Sequence, residues 1–137
     1  QILLDSFVFV SRRSGQTRQV EPGQALCVVL TWRSAGNLSA DYTVFVHLVG
    51  PDNPANNSPL WAQHDGMPVE ALRPTSTWQP GESIQDMHVI FVPAEVPAGS
   101  YRLEVGLYDA VTGVRLPARQ GDGSSAERVS LIELEVR

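Results

Sequence analysis

Three histidines, one cysteine, three tryptophans and fifteen carboxylates are the side chains with which this 137-residue chain could do chemistry. His47, His64 and His88 lie in three separate apolar stretches. None has the H-x-H or HExxH spacing that sets two imidazoles on one metal ion, so no metal site is expected. His47 and His64 can still meet across neighbouring strands if a hairpin through 50–59 pairs them. Cys27 stands among apolar neighbours and reads as a small buried hydrophobe. The GDGSS run at 121–125 lacks the strand–turn–helix setting of a nucleophile elbow. Glu133 and Glu135 alternate with apolar residues as a solvated strand face does, unlike the facing carboxylates of a glycoside hydrolase. No catalytic residue, cofactor or enzyme activity is predicted from this set.

Two binding chemistries have more to recommend them. Asp52, Asn53, Asn56 and Asn57 crowd one loop and Asp122 lies in another, and calcium takes several oxygens from such loops. The EF-hand spacing is missing, however, and Asn and Asp are also what tight turns use for local hydrogen bonds, which is the preferred reading. The aromatic residues carry the stronger ligand signal. Trp78 sits in PTSTWQPGE, off any core-facing alternation, and Trp61 lies in LWAQHD near a strand edge. Exposed beside polar loops, these two indoles would form a platform for stacking sugar rings. Trp32 is in phase with Leu26, Val28 and Leu30 and belongs to the core, whereas Tyr101 opens a strand where its hydroxyl can bond backbone across a corner.

The elements that must position these residues repeat with period two. Leu26, Val28, Leu30 and Trp32 share one face of 24–33, and Tyr101, Leu103, Val105 and Leu107 share one face of 100–108, as half-buried strands require. Residues 42–49 are apolar on both faces and suit a central strand. In 84–92 Met87, Val89 and Phe91 fall together and are expected to face the core; in 129–136 Ile132, Leu134 and Val136 do so. With 2–11, where Asp5 and Ser6 interrupt the apolar run, and 60–64, this predicts an all-β antiparallel sandwich of immunoglobulin or fibronectin type III kind. It should have seven to eight strands and almost no helix. EPGQ, QPGE and VPAGS place Pro and Gly just before strands, and YDAVTGVRL reads as a hairpin closed by Gly113. Residues 65–83 are expected to cross between the sheets in order, with Trp78 partly buried, and 117–126 to form a small polar loop.

Composition removes several classes. Apolar residues make up 42% of the chain and charged residues 18%, which suits one globular domain spanning 1–137 and no membrane-spanning segment. A net charge of -5, with the ten cations scattered, argues against nucleic acid. One Cys excludes an internal disulfide. The opening QILLDSFVFV has neither an initiator Met nor a signal-peptide pattern and reads as the start of a piece cut from a longer protein.

Four segments, YTVFVHLVGPDN (42–53), LWAQHDGMPV (60–69), RPTSTWQPGESIQD (73–86) and VPAGSYRLEVGLYDAVTGVRL (96–116), occur in an order that resembles one recurring bacterial module. It is the β-sandwich at the C-terminal end of multi-span membrane proteins similar to the dolichyl-phosphate-mannose–protein mannosyltransferases. The loop 51–59 is longer than the short turn expected in that family. The resemblance implies an extracytoplasmic, non-catalytic accessory domain, at the cell surface and attached to a membrane protein, whose partner is the remainder of its parent chain. It brings no functional residues. The alternative is a carbohydrate-binding module that holds glycan on Trp78 and Trp61.

Overall fold

The computed structural model describes residues 1–11 and 18–137. Its strands are β1 (Ile2–Ser11), β2 (Gln19–Val20), β3 (Ala25–Ser34), β4 (Tyr42–Asn53), β5 (Ser58–Gly66), β6 (Ile84–Phe91), β7 (Gly99–Asp109), β8 (Arg115–Leu116), β9 (Ala118–Gln120), β10 (Ser125–Ala126) and β11 (Val129–Val136). One 3₁₀ turn, Thr75–Thr77, is the only helical element among the described residues. The first sheet runs β10-β9-β1-β3-β6 and the second β2-β11-β7-β4-β5, with β8 beside β7. The all-β sandwich is therefore present. Its long pairings are antiparallel, but the short β1–β9 and β2–β11 pairs are parallel, so both sheets are mixed.

Alternation explains most of what is buried. The core joins Leu26, Val28, Leu30 and Trp32 of β3 to Val44, Val46 and Leu48 of β4 and to Leu103, Val105 and Leu107 of β7. In β1 a bulge at Asp5 resets the phase: Ile2 and Leu4 face inward before it, Phe7 and Phe9 after it. The polar Asp5–Ser6 pair is the sequence mark of that bulge.

Two expectations about the strands are corrected. In β6 the inward residues are Ile84, Asp86, His88 and Ile90, while Met87 and Phe91 are 49% and 66% exposed. The phase is opposite to that expected, because Asp86 and His88 find polar partners inside. Residues 117–126 are not an irregular loop: β9 and β10 form a small hairpin whose Ala118 is buried where β9 adds to the edge of β1.

The connections follow their turn chemistry. Gly113 has φ 75° and donates its N–H to the Asp109 carbonyl at 2.7 Å, closing the β7–β8 hairpin with a backbone that disfavours side chains. The Tyr101 hydroxyl donates to the Pro97 carbonyl at 2.8 Å, the corner bond anticipated for it. Residues 67–83 carry the chain from β5 to β6, across from one sheet to the other. Buried Thr75 anchors this crossing, donating to the Ala40 carbonyl at 2.7 Å and accepting from the Tyr42 N–H at 3.0 Å.

Candidate functional site

The two indoles proposed as a sugar platform do not form one. Trp78 is 1% exposed and belongs to the core, its Nε1–H donated to the Arg73 carbonyl at 2.9 Å. It pins the crossing segment down, and a ring with no free face cannot stack a sugar. Trp61 is partly buried against the core, edge-on to Tyr101, and donates Nε1–H to the Pro51 carbonyl at 2.7 Å. Both indoles are thus engaged in holding connections. Trp32 is buried as expected and donates Nε1–H to Asp86 at 3.3 Å.

The histidines sort differently from the pairing considered for them. His47 lies opposite Gln63, and His64 opposite Val46, so the two imidazoles point to opposite faces of one sheet. His64 meets His88 instead, Nδ1 to Nδ1 at 2.9 Å. The second nitrogen of His88 stands 2.6 Å from Asp86 Oδ2, and Asp86 Oδ1 accepts the Val69 N–H at 2.8 Å. Asp86 and His88 are both buried and His64 is exposed, so the chain Asp86–His88–His64 runs from interior to surface. It links β6 of one sheet to β5 of the other at the edge of the sandwich. Val69, Glu70 and Ala71, which follow β5, have φ of 57°, 52° and 65°, a left-handed turn held down partly by the bond from Val69 to Asp86. A sequence reading missed this group, because its members lie far apart and Asp86 and His88 were assigned to the solvent side.

The Asn-rich loop is a self-satisfied turn. Asn53 Oδ1 accepts from the Ala55 N–H and Asn56 Oδ1 from the Ser58 N–H, each at 3.0 Å, and both side-chain amides donate to the Leu60 carbonyl. Asp122 similarly accepts from Ser124. Glu133 and Glu135 lie on a solvated face as anticipated, and Glu135 accepts the Ser100 hydroxyl at 2.6 Å.

The broadest surface feature is the outer face of the β1–β3–β6 sheet. Val8 and Val10 are 59% and 44% exposed, and with Met87, Phe91, Cys27 and Val29 they form a continuous apolar surface. Cys27 is at the centre of this face, half-buried, which corrects its assignment to the core; that burial pushes its thiol up, away from the thiolate. No charged side chain stands among these six residues. The ion pair of Arg33 with Asp5, at 2.9 Å, lies beyond them at one end of the sheet.

No protein-family model and no curated protein matches the chain. Among solved structures it is similar to a Niemann-Pick type C2 protein from Japanese carpenter ant, with a TM-score of 0.50 at 10% identity over 98% of this chain and 93% of that one. It is also similar to part of the alkylpurine DNA glycosylase AlkC of Pseudomonas fluorescens, solved bound to DNA containing an abasic site analog. That match has a TM-score of 0.50 at 12% identity, over 99% of this chain and 30% of that one. At such identities the likeness is one of fold, and the fold is the β-sandwich.

Proposed function

We propose that this sandwich is a non-catalytic accessory domain of a larger bacterial membrane or surface protein, extracytoplasmic and concerned with envelope glycans. It docks on the remainder of that protein through the outer face of the β1–β3–β6 sheet. The exposed apolar face carries the reading. Burying apolar surface yields roughly 25 cal/mol per Å², and where the other exposed apolar residues, Leu72, Val111 and Val114, stand in connections between strands, this contiguous apolar patch on a sheet face among the described residues marks an interaction surface. The ordered resemblance of residues 42–116 to a membrane-protein module supports the kind of parent. The closed partnership of Asp86 with Trp32, Val69 and His88 supports a structural use of the buried polar groups: three donors occupy the carboxylate, leaving little of it for a substrate.

Cys27 is a native reporter for this docking. Maleimide labelling of Cys27 is expected to be at least severalfold slower in the full parent protein than in the isolated 137-residue chain, and the parent gene is expected to encode membrane-spanning or surface-attached sequence. Equal labelling rates would remove the docking face. A soluble cytoplasmic enzyme as parent would remove the location.

A further inference from the structure

The opposite side of the molecule holds a second feature that docking does not use. On the outer face of the β4–β5–β7 sheet, Phe45 is 1% exposed yet stands apart from the hydrophobic core. Polar and aromatic groups cover it. The Arg115 guanidinium lies 4.7 Å above the ring centre, the His47 ring is at 4.5 Å, and Tyr108 is at 6.4 Å. Gly106, paired with Phe45 across the strands, is required here: a Cβ would come within 2.4 Å of the Phe45 ring and 2.3 Å of the Glu127 carbonyl oxygen. Phe45 thus forms the floor of an open concavity of about 270 Å³, with His47, Gln63, Asp65, Tyr108 and Arg115 around it.

The hydrogen-bonding groups of this concavity are only partly used. Arg115 Nη1 is buried with no acceptor in the protein. Asp65 accepts the Tyr108 hydroxyl at 2.8 Å on one oxygen, and its other oxygen stands 3.9 Å from His47 Nε2, which leaves that oxygen open. Gln63 extends an exposed amide from the same strand. A ligand that satisfies this set must bring an acceptor, preferably anionic, to the guanidinium and donors to the carboxylate. A phosphate brings too few donors for Asp65 and Gln63; a neutral sugar leaves the guanidinium without an anion. A sugar ring bearing a carboxylate brings both, with a C–H face for Tyr108.

We infer that this concavity binds a uronic acid residue of an acidic glycan, its carboxylate on Arg115 and its hydroxyls on Asp65, Gln63 and His47. The site lies on the sheet face opposite the docking surface, so either can fail without the other. The test is a titration of the ¹⁵N-labelled chain followed by NMR, with trigalacturonate, a glucuronate-containing oligosaccharide and the methyl ester of trigalacturonate. Shifts are expected for at least one acid, confined to β4, β5, β7 and β8. The ester should bind about tenfold weaker or worse, since it loses a charge-assisted pair. Arg115→Met should weaken the acid by a similar factor. Gln63→Ala, which leaves the Phe45 packing intact, should weaken it about threefold or more at unchanged thermal stability. If Arg115→Met fails to fold, the ester and Gln63→Ala decide the matter. Absence of shifts with both acids, equal binding of acid and ester, unchanged binding by Gln63→Ala, or shifts centred on another surface would each overturn the assignment. An amino acid such as glutamate producing the same shifts at lower concentration would replace the glycan by a zwitterion.

Discussion

The sharpest polar feature is built by single residues. Asp86 and His88 have side chains 0% and 1% exposed, and the carboxylate takes hydrogen bonds from the Trp32 indole, the Val69 amide and the His88 imidazole. A buried polar group is tolerated when it is fully partnered and costly when a partner is removed. Asp86→Ala orphans three donors at once and is expected to destabilise the fold by about 3–5 kcal/mol, the range for breaking a buried pair. His64→Ala removes only the exposed end of the chain and should cost about 1 kcal/mol. Urea unfolding of the two variants checks the order; equal losses would show that Asp86 is not the hub. This group also explains the misjudged phase of β6. Alternation assigns the more apolar side of a strand to the core, and here Met87, Val89 and Phe91 outrank Asp86 and His88. Only the partners supplied by β3, β5 and the 67–73 segment make the polar side the inner one, and those partners are distant in sequence.

Among the elements, those with a local signature were legible and those defined by distant partners were not. The faces of β3 and β7, the Pro–Gly turns and the Gly113 hairpin follow from neighbouring residues alone. The bulge in β1 was not anticipated: the Asp5–Ser6 interruption is seen as a change of phase only through the pairing with β3. The short strands β9 and β10 escaped because a three-residue strand has no period to detect; it exists because β1 offers an open edge. The ordered crossing and the partial burial of Trp78 were anticipated, but its complete burial was not: its loop alternates with nothing, yet Thr75 and the Arg73 carbonyl draw it into the core. The left-handed turn at 69–71 likewise has no glycine to announce it. Left-handed backbone costs a residue with a Cβ about 1–2 kcal/mol. Ala71 is exposed at φ 65°, so Ala71→Gly relieves strain without removing packing. It is expected to stabilise the chain by about 1 kcal/mol, offset in part by the added freedom of glycine when unfolded. A melting temperature that fails to rise in Ala71→Gly would show that the turn is unstrained.

For the molecule as a whole, burial and ion pairing set the pH range in which the fold is most stable. Burial holds the His47 imidazole below its ordinary value of about 6.5, and nearby Arg128 and Arg115 add to this, opposed by Asp65 and Glu104. The unfolded chain therefore takes up a proton at His47 before the folded one does. Stability starts to fall as pH drops through about 6.5 and goes on falling until the folded imidazole protonates as well. A second loss follows at lower pH. The Arg33 guanidinium holds Asp5, and the Arg73 guanidinium holds Glu82, below the usual carboxylate range, so their contributions are present above the unfolded values and disappear as pH falls through the folded ones. On the alkaline side burial raises Cys27, Tyr101 and Tyr108, and the Asp65 carboxylate raises Tyr108 further. There the unfolded chain gives up protons first and stability declines as pH rises. Urea midpoints measured from pH 2 to 11 should thus trace a plateau between neutrality and the thiol range, with a two-stage loss on the acid side. His47→Gln keeps a polar side chain beside Asp65 and cannot titrate, so it should erase the first acid stage and leave the second. If the first stage persists in His47→Gln, another histidine causes it, and the solvent-facing cluster around Phe45 is wetter than its packing indicates.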